Sequence, residues 1–152
     1  MSKKYFLFDD TIEEYCLIAV HCDLDDFSLA YVLNKNLRAN FKRIKKSLNF
    51  NNSTFEIFHW ESIKKGVSCS LVSNKNFVDS KINIDPSFLF NLSETKKVSL
   101  INSLPNVDYL IKVKQGLEIN KTIKLLNEIP QLILSYVIEN KEIKSNFNLI
   151  LD

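Results

Sequence analysis

His21 and His59 are the side chains of this sequence best suited to moving a proton near neutral pH, and each has carboxylates close behind it. Asp23, Asp25 and Asp26 follow His21, and Glu61 follows His59, so either imidazole could be oriented by an acid. A small enzyme centred on His21 is therefore one reading, but no nucleophile or cofactor motif accompanies it, and a structural histidine needs only a hydrogen bond. Cys16, His21, Cys22 and Cys69 are zinc-binding residue types. His21 and Cys22, however, are neighbours that point to opposite faces of a strand, and no Cys-x-x-Cys spacing occurs, so neither metal nor cofactor is expected. With Gly66 and Gly116 as its only glycines, the chain cannot build a Gly-rich phosphate loop or a dinucleotide turn in the usual way.

Charge is sorted along the chain. Asp9 to Asp26 carries seven carboxylates and no Lys or Arg, whereas Phe27 to Phe55 carries six Lys or Arg and no carboxylate. Arg38, Lys42, Arg43, Lys45 and Lys46, with Phe41 among them and Lys64 and Lys65 further on, could track a nucleic-acid backbone, which makes RNA a possible partner. Lysines on an edge strand also protect that edge from pairing with other chains, so the same run is explained without RNA. The net charge of +2 is too small to imply nucleic acid or a membrane by itself.

These residues need elements to hold them. Tyr15–Cys22 is apolar on both faces and reads as a central strand, followed by a helix over Leu24–Leu37 with Asp23 as its cap and Asp26 three residues on. Phe27, Ala30, Tyr31, Leu33 and Leu37 are expected to form the helix face that packs on the sheet. Phe41–Leu48 is expected as an edge strand, and Thr54–Glu61 and Val67–Val72 as a hairpin around Ser62–Gly66. Asn74–Pro86 reads as loop and Phe88–Leu92 as a short strand or turn. Val107, Tyr109, Ile111 and Val113 alternate with Asp108, Lys112 and Lys114, predicting a half-buried strand whose charged face meets water. Leu117–Ile129 predicts a second helix stopped at Pro130, Gln131–Ile138 another strand, and 139–152 a C-terminal tail that could pack on the sheet.

Together these make one domain over 1–152, an α+β fold with a mainly antiparallel sheet and two helices on one face, ferredoxin-like or regulatory-domain-like. At 45% hydrophobic the chain can bury a real core. Its longest apolar stretch, Ile129–Ile138, is far short of the roughly 20 residues that cross a bilayer, no secretory h-region follows Lys3 and Lys4, and three cysteines suit a reducing compartment. A cytoplasmic protein with no membrane association is expected.

Tyr15–Lys35, and within it His21-Cys22-x-Leu24-x-Asp26-Phe27-x-Leu29-Ala30-Tyr31-x-Leu33-Asn34-Lys35, resembles the start of the bacterial IPExxxVDY family. Leu71-Val72-Ser73-Asn74-Lys75, Val107-Asp108-Tyr109 and Ile129-Pro130-Gln131 follow in the expected order, so the resemblance spans nearly the whole chain. The departure falls where the family has Ile-Pro-Glu and this chain has Ile101-Asn102-Ser103. The resemblance implies a bacterial cytosolic protein and carries no particular activity.

The residues favour a noncatalytic binding or regulatory module working through protein contact or self-association. Phe55 and Ile57 alternate with Phe58 and Trp60, which puts rings on both hairpin faces and leaves one, with Phe58 and Trp60, open to a partner or to the C-terminal tail. Asp108, expected on an outward strand face, is a further candidate for partner contact.

Overall fold

The computed structural model describes residues 14–50, 52–81 and 93–151. In chain order the elements are β1 (Cys16–Cys22), α1 (Asp26–Leu37), β2 (Lys42–Arg43), β3 (Leu48–Phe50), β4 (Ser53–Phe55), β5 (Ile57–Ser62), β6 (Val67–Ser73), β7 (Lys75–Lys81), β8 (Ser93–Ser99), β9 (Tyr109–Gln115), α2 (Ile119–Glu128), β10 (Leu132–Ile138) and α3 (Lys141–Leu151). One antiparallel sheet runs in the order β10, β1, β9, β6, β5, β2, and β3–β4 and β7–β8 form two separate ribbons. β1–α1–β6 and β9–α2–β10 interleave: β9 lies between β1 and β6, and β1 lies between β10 and β9. That is the ferredoxin-like arrangement of an α+β fold, lengthened at one edge by β5 and β2.

Side chains alternate across each strand, so the sheet has two apolar faces, and both are covered. Ile18, Val20, Cys69, Leu71 and Ile111 face α1 and α2, which contribute Leu29, Leu33 and Leu126. On the opposite face Leu17, Ala19, Val72 and Leu110 pack with Phe55, Leu100, Ile101 and Phe147, the last from α3. The C-terminal segment is thus a helix laid against the sheet. At the end of β9, Gly116 has φ of +95°, and a Cβ there would lie 2.4 Å from the Gly66 carbonyl oxygen, so glycine alone permits this approach to the β5–β6 hairpin.

Several expectations need correction. The helix cap is Asp25, whose carboxylate accepts from the Ser28 N–H at 2.7 Å, and not Asp23. The expected strand over 41–48 is broken into β2 and β3, because the β2 ladder with β5 covers only Lys42 and Arg43. Residues 75–81, read as loop, form β7 and pair with β8, a long-range partner that polar, non-periodic sequence does not announce. The short element expected at 88–92 lies outside the described residues. Lys112, expected to face water, is 3% exposed. Its strand sits in the middle of a sheet covered on both faces, and its Nζ stands 4.6 Å from the centre of the Tyr15 ring, with Lys144 Nζ 5.3 Å from the same ring.

Candidate functional site

The carboxyl end of β1 brings together much of the chemistry expected from the sequence. His21 stacks on Tyr136 of β10 and its Nε2 lies 3.1 Å from the Tyr136 hydroxyl, so the ring is occupied by a structural neighbour. Asp108 is engaged within the chain. Its Oδ2 accepts the Cys22 N–H at 3.0 Å, its Oδ1 meets Lys75 Nζ at 2.7 Å, and its own N–H donates to the Val20 carbonyl. The carboxylate therefore locks the end of β1 to β9 and β7, a structural role that its expected outward position did not indicate. Next to it the Tyr109 hydroxyl donates to the Leu24 carbonyl at 2.6 Å, and burial, with Cys22 and nearby aspartates adding to it, raises that phenol above its ordinary range.

His59 offers a second polar group, one strand from Ser70. Its Nδ1 lies 3.0 Å from Ser70 Oγ, the contact a base makes with a nucleophile. The third member is not seated: Glu61 Oε2 is 3.8 Å from Nε2, beyond hydrogen-bond reach, and its side chain is open to water. Among the described residues no group of three His, Cys, Asp or Glu side chains gathers as a metal set. Cys22 and Cys69 are buried, and Cys16 is partly so.

The aromatic hairpin is core. Phe58 and Trp60 are 2% and 5% exposed, under α1 with Phe41 packed edge-on against Trp60, while Phe55 and Ile57 are buried on the other face. Helices and ribbon supply the cover expected of a partner, so Phe58 and Trp60 are corrected from contact residues to packing residues. The basic run extends from the end of α1 along the β2 edge to the turn after it. Arg38, Lys42, Arg43, Lys45 and Lys46 are all exposed, and Arg43 is held by Glu56 through two nitrogens, at 2.9 Å and 2.8 Å.

Among the described residues, the outer face of α1 is an open aromatic surface. Leu29, Ala30, Val32 and Leu33 take the core side, and at 3.6 residues per turn Phe27, Tyr31, Lys35 and Arg38 fall on the opposite side. Phe27 is 60% and Tyr31 67% exposed, although the sequence placed both against the sheet. Phe27 rests one edge on the buried Phe58 ring, with ring centres 5.2 Å apart, so it is held in place while most of it meets solvent. The helix is acidic before and at its start, with Asp23, Asp25 and Asp26, and basic at its end, with Lys35 and Arg38, the latter closing it in a left-handed conformation with φ of 54°. Aromatic rings flanked by charge of both signs can bury apolar area and fix orientation at once.

A second apolar edge exists on β10, where Ile133, Leu134 and Tyr136 are exposed. Its strand edge is already occupied at the centre: Asn127 of α2 donates to the Ser135 carbonyl at 3.0 Å and accepts from the Ser135 N–H at 2.8 Å. Among the described residues, no helix is long and apolar enough to cross a membrane. Compared with protein-family models, curated proteins and solved structures, the chain matches none of them.

Proposed function

We propose that this chain is a noncatalytic binding or regulatory module of the bacterial cytoplasm that acts through protein–protein contact, and that the outer face of α1 is its contact surface. The observation that carries this reading is the exposure of Phe27 and Tyr31, one turn apart on a helix whose core side is already filled. The resemblance to the IPExxxVDY family supports the bacterial and cytoplasmic part, and three free cysteines fit a reducing compartment.

RNA is the less favoured partner. Sheets of this kind that read RNA stack bases on the face away from the helices, and here that face is filled by Phe55, Leu100 and Phe147. Loss of RNA retention on changing Lys42, Arg43, Lys45 and Lys46 to Ser would favour the RNA reading instead.

The test of the contact surface is solution mass of the purified chain and of its Phe27→Ser, Tyr31→Ser double variant. The expected result is a self-associated or stoichiometrically partnered wild type and a monomeric, folded variant. A wild type that is strictly monomeric with no co-purifying protein would overturn the reading.

A further inference from the structure

We infer that the segment Lys3–Asp10 of this same chain docks along the outer face of α1; the inference rests on the contact surface proposed above and names what governs access to it. The row Phe27, Tyr31, Lys35, Arg38 offers two exposed rings followed by two exposed cations, with no carboxylate in it. Tyr5-Phe6-Leu7-Phe8-Asp9-Asp10 has the complementary order, four apolar side chains followed by two carboxylates. Apolar residues can therefore meet the rings while Asp9 and Asp10 meet Lys35 and Arg38.

The topology supplies the direction. Cys16, Val113, Cys69 and Trp60 form one row across β1, β9, β6 and β5, and Trp60 packs on Phe41, just beyond the end of α1. The start of β1 thus lies at the same end of the sheet as Lys35 and Arg38. α1 packs on β6, two strands from β1, which is roughly 10 Å across the sheet. The residues between Asp10 and Cys16 reach roughly 20 Å when extended, enough to bring Asp9 and Asp10 round to the outer side of the helix. From Asp10 back to Lys3 the chain reaches at most roughly 25 Å, against about 20 Å of helix from Asp25 to Arg38. Lys3 and Lys4 then arrive where the exposed Asp23 and the Asp25 cap precede the helix. The opposite direction would set Asp9 and Asp10 beside those two carboxylates. Because the segment is joined to the face it covers, its local concentration is high, and a contact too weak for a free peptide suffices. An outside partner reaches Phe27 and Tyr31 only by displacing it, so its apparent affinity falls by the fraction of chains left uncovered.

Limited chymotrypsin digestion of the whole chain tests the docking, with cleavage after Tyr5 and Phe6 followed by mass spectrometry. The wild type is expected to be cut there at least about tenfold more slowly than a Phe27→Ser, Tyr31→Ser variant or a Lys35→Glu, Arg38→Glu variant. Adding Asp9→Lys and Asp10→Lys to the second variant is expected to restore the protection. A wild type cut as fast as the variants, or a charge swap that restores nothing, overturns the inference. Circular dichroism checks that the variants are folded. Should those in α1 fail to fold, Asp9→Lys with Asp10→Lys alone decides, since it leaves α1 untouched: faster cleavage is expected, and an unchanged rate overturns the inference. Protection that grows with protein concentration assigns the segment to α1 of another copy and overturns docking within the chain. A wild type that is cut freely, yet loses a bound protein when Phe27 and Tyr31 become Ser, overturns the docking while leaving the contact surface intact. A protected wild type that is monomeric and holds no other protein supports the docking and removes the contact-surface reading instead.

Discussion

Asn74 is completely buried and spends its side chain on main-chain groups: its amide donates to the Leu104 and Val107 carbonyls at 2.8 and 2.9 Å and its oxygen accepts the Ile101 N–H at 2.8 Å. An amide serves here because it donates and accepts in one plane, as a strand does. The segment Ile101-Asn102-Ser103 is thereby tied to the end of β6. Asn74→Ala leaves two carbonyls and an N–H without their partner and is expected to cost roughly 2–4 kcal/mol, measured as a lower urea midpoint at unchanged slope. The thiols make a separate prediction. Burial pushes Cys69 up to about 12, and Cys22 and Cys16 are raised as well, Cys16 with the Lys144 charge opposing the shift. Near pH 8 the native chain is expected to react with a thiol reagent first at Cys16, the least buried, and at Cys69 only on unfolding, as followed by labelling kinetics and mass spectrometry. Fast native labelling of Cys69 would contradict the packing described for β6.

Both ends of the six-stranded sheet are edges, and the two are managed differently. On one side β2 is only Lys42–Arg43, short and charged, which offers little template to another strand. On the other, β10 is seven residues long, uncharged and apolar, and Asn127 answers the outward peptide groups of Ser135 in place of a neighbouring strand. Asn127→Ala is expected to cost about 1 kcal/mol and to produce concentration-dependent aggregation, read by light scattering against the wild type at equal concentration. An Asn127→Ala chain as dispersed as the wild type would show that the edge needs no guard. Asn34 does a similar job for the turn after α1, bonding both the N–H and the carbonyl of Phe41 and so holding the start of the basic run. Helix periodicity alone misassigned α1, because Phe27 and Tyr31 share a three-to-four spacing with Ala30, Leu33 and Leu37 but sit more than a quarter turn away from the buried side.

Across the whole molecule, α3 makes the sheet a covered layer and not a platform. Phe147 is fully buried among Leu17, Leu110 and Ile138, and Phe147→Ala is expected to destabilise the fold by about 3–5 kcal/mol, seen as a large fall in melting temperature. A small change would mean that α3 is not integral to the second apolar face. Its coverage also explains why Lys112 and Phe55 are buried, while α1 covers Phe58 and Trp60 on the other face. The sequence by itself determined the alternation of β1, β6 and β9, the two helices that follow β1 and β9, and the charge polarity around α1, because these depend on near-neighbour spacing and on the 2.0 and 3.6 periods of strand and helix. It also carried the mixed α+β class. Only the tertiary structure decided that β7 pairs with β8, that Asp108 is a tie between strands, and that Ser70 meets His59. It alone turned the aromatic pair of α1 outward. These depend on which distant segments meet and on which of two apolar faces is already filled, and burial of apolar area is a property of the assembled layers, which local pattern does not contain.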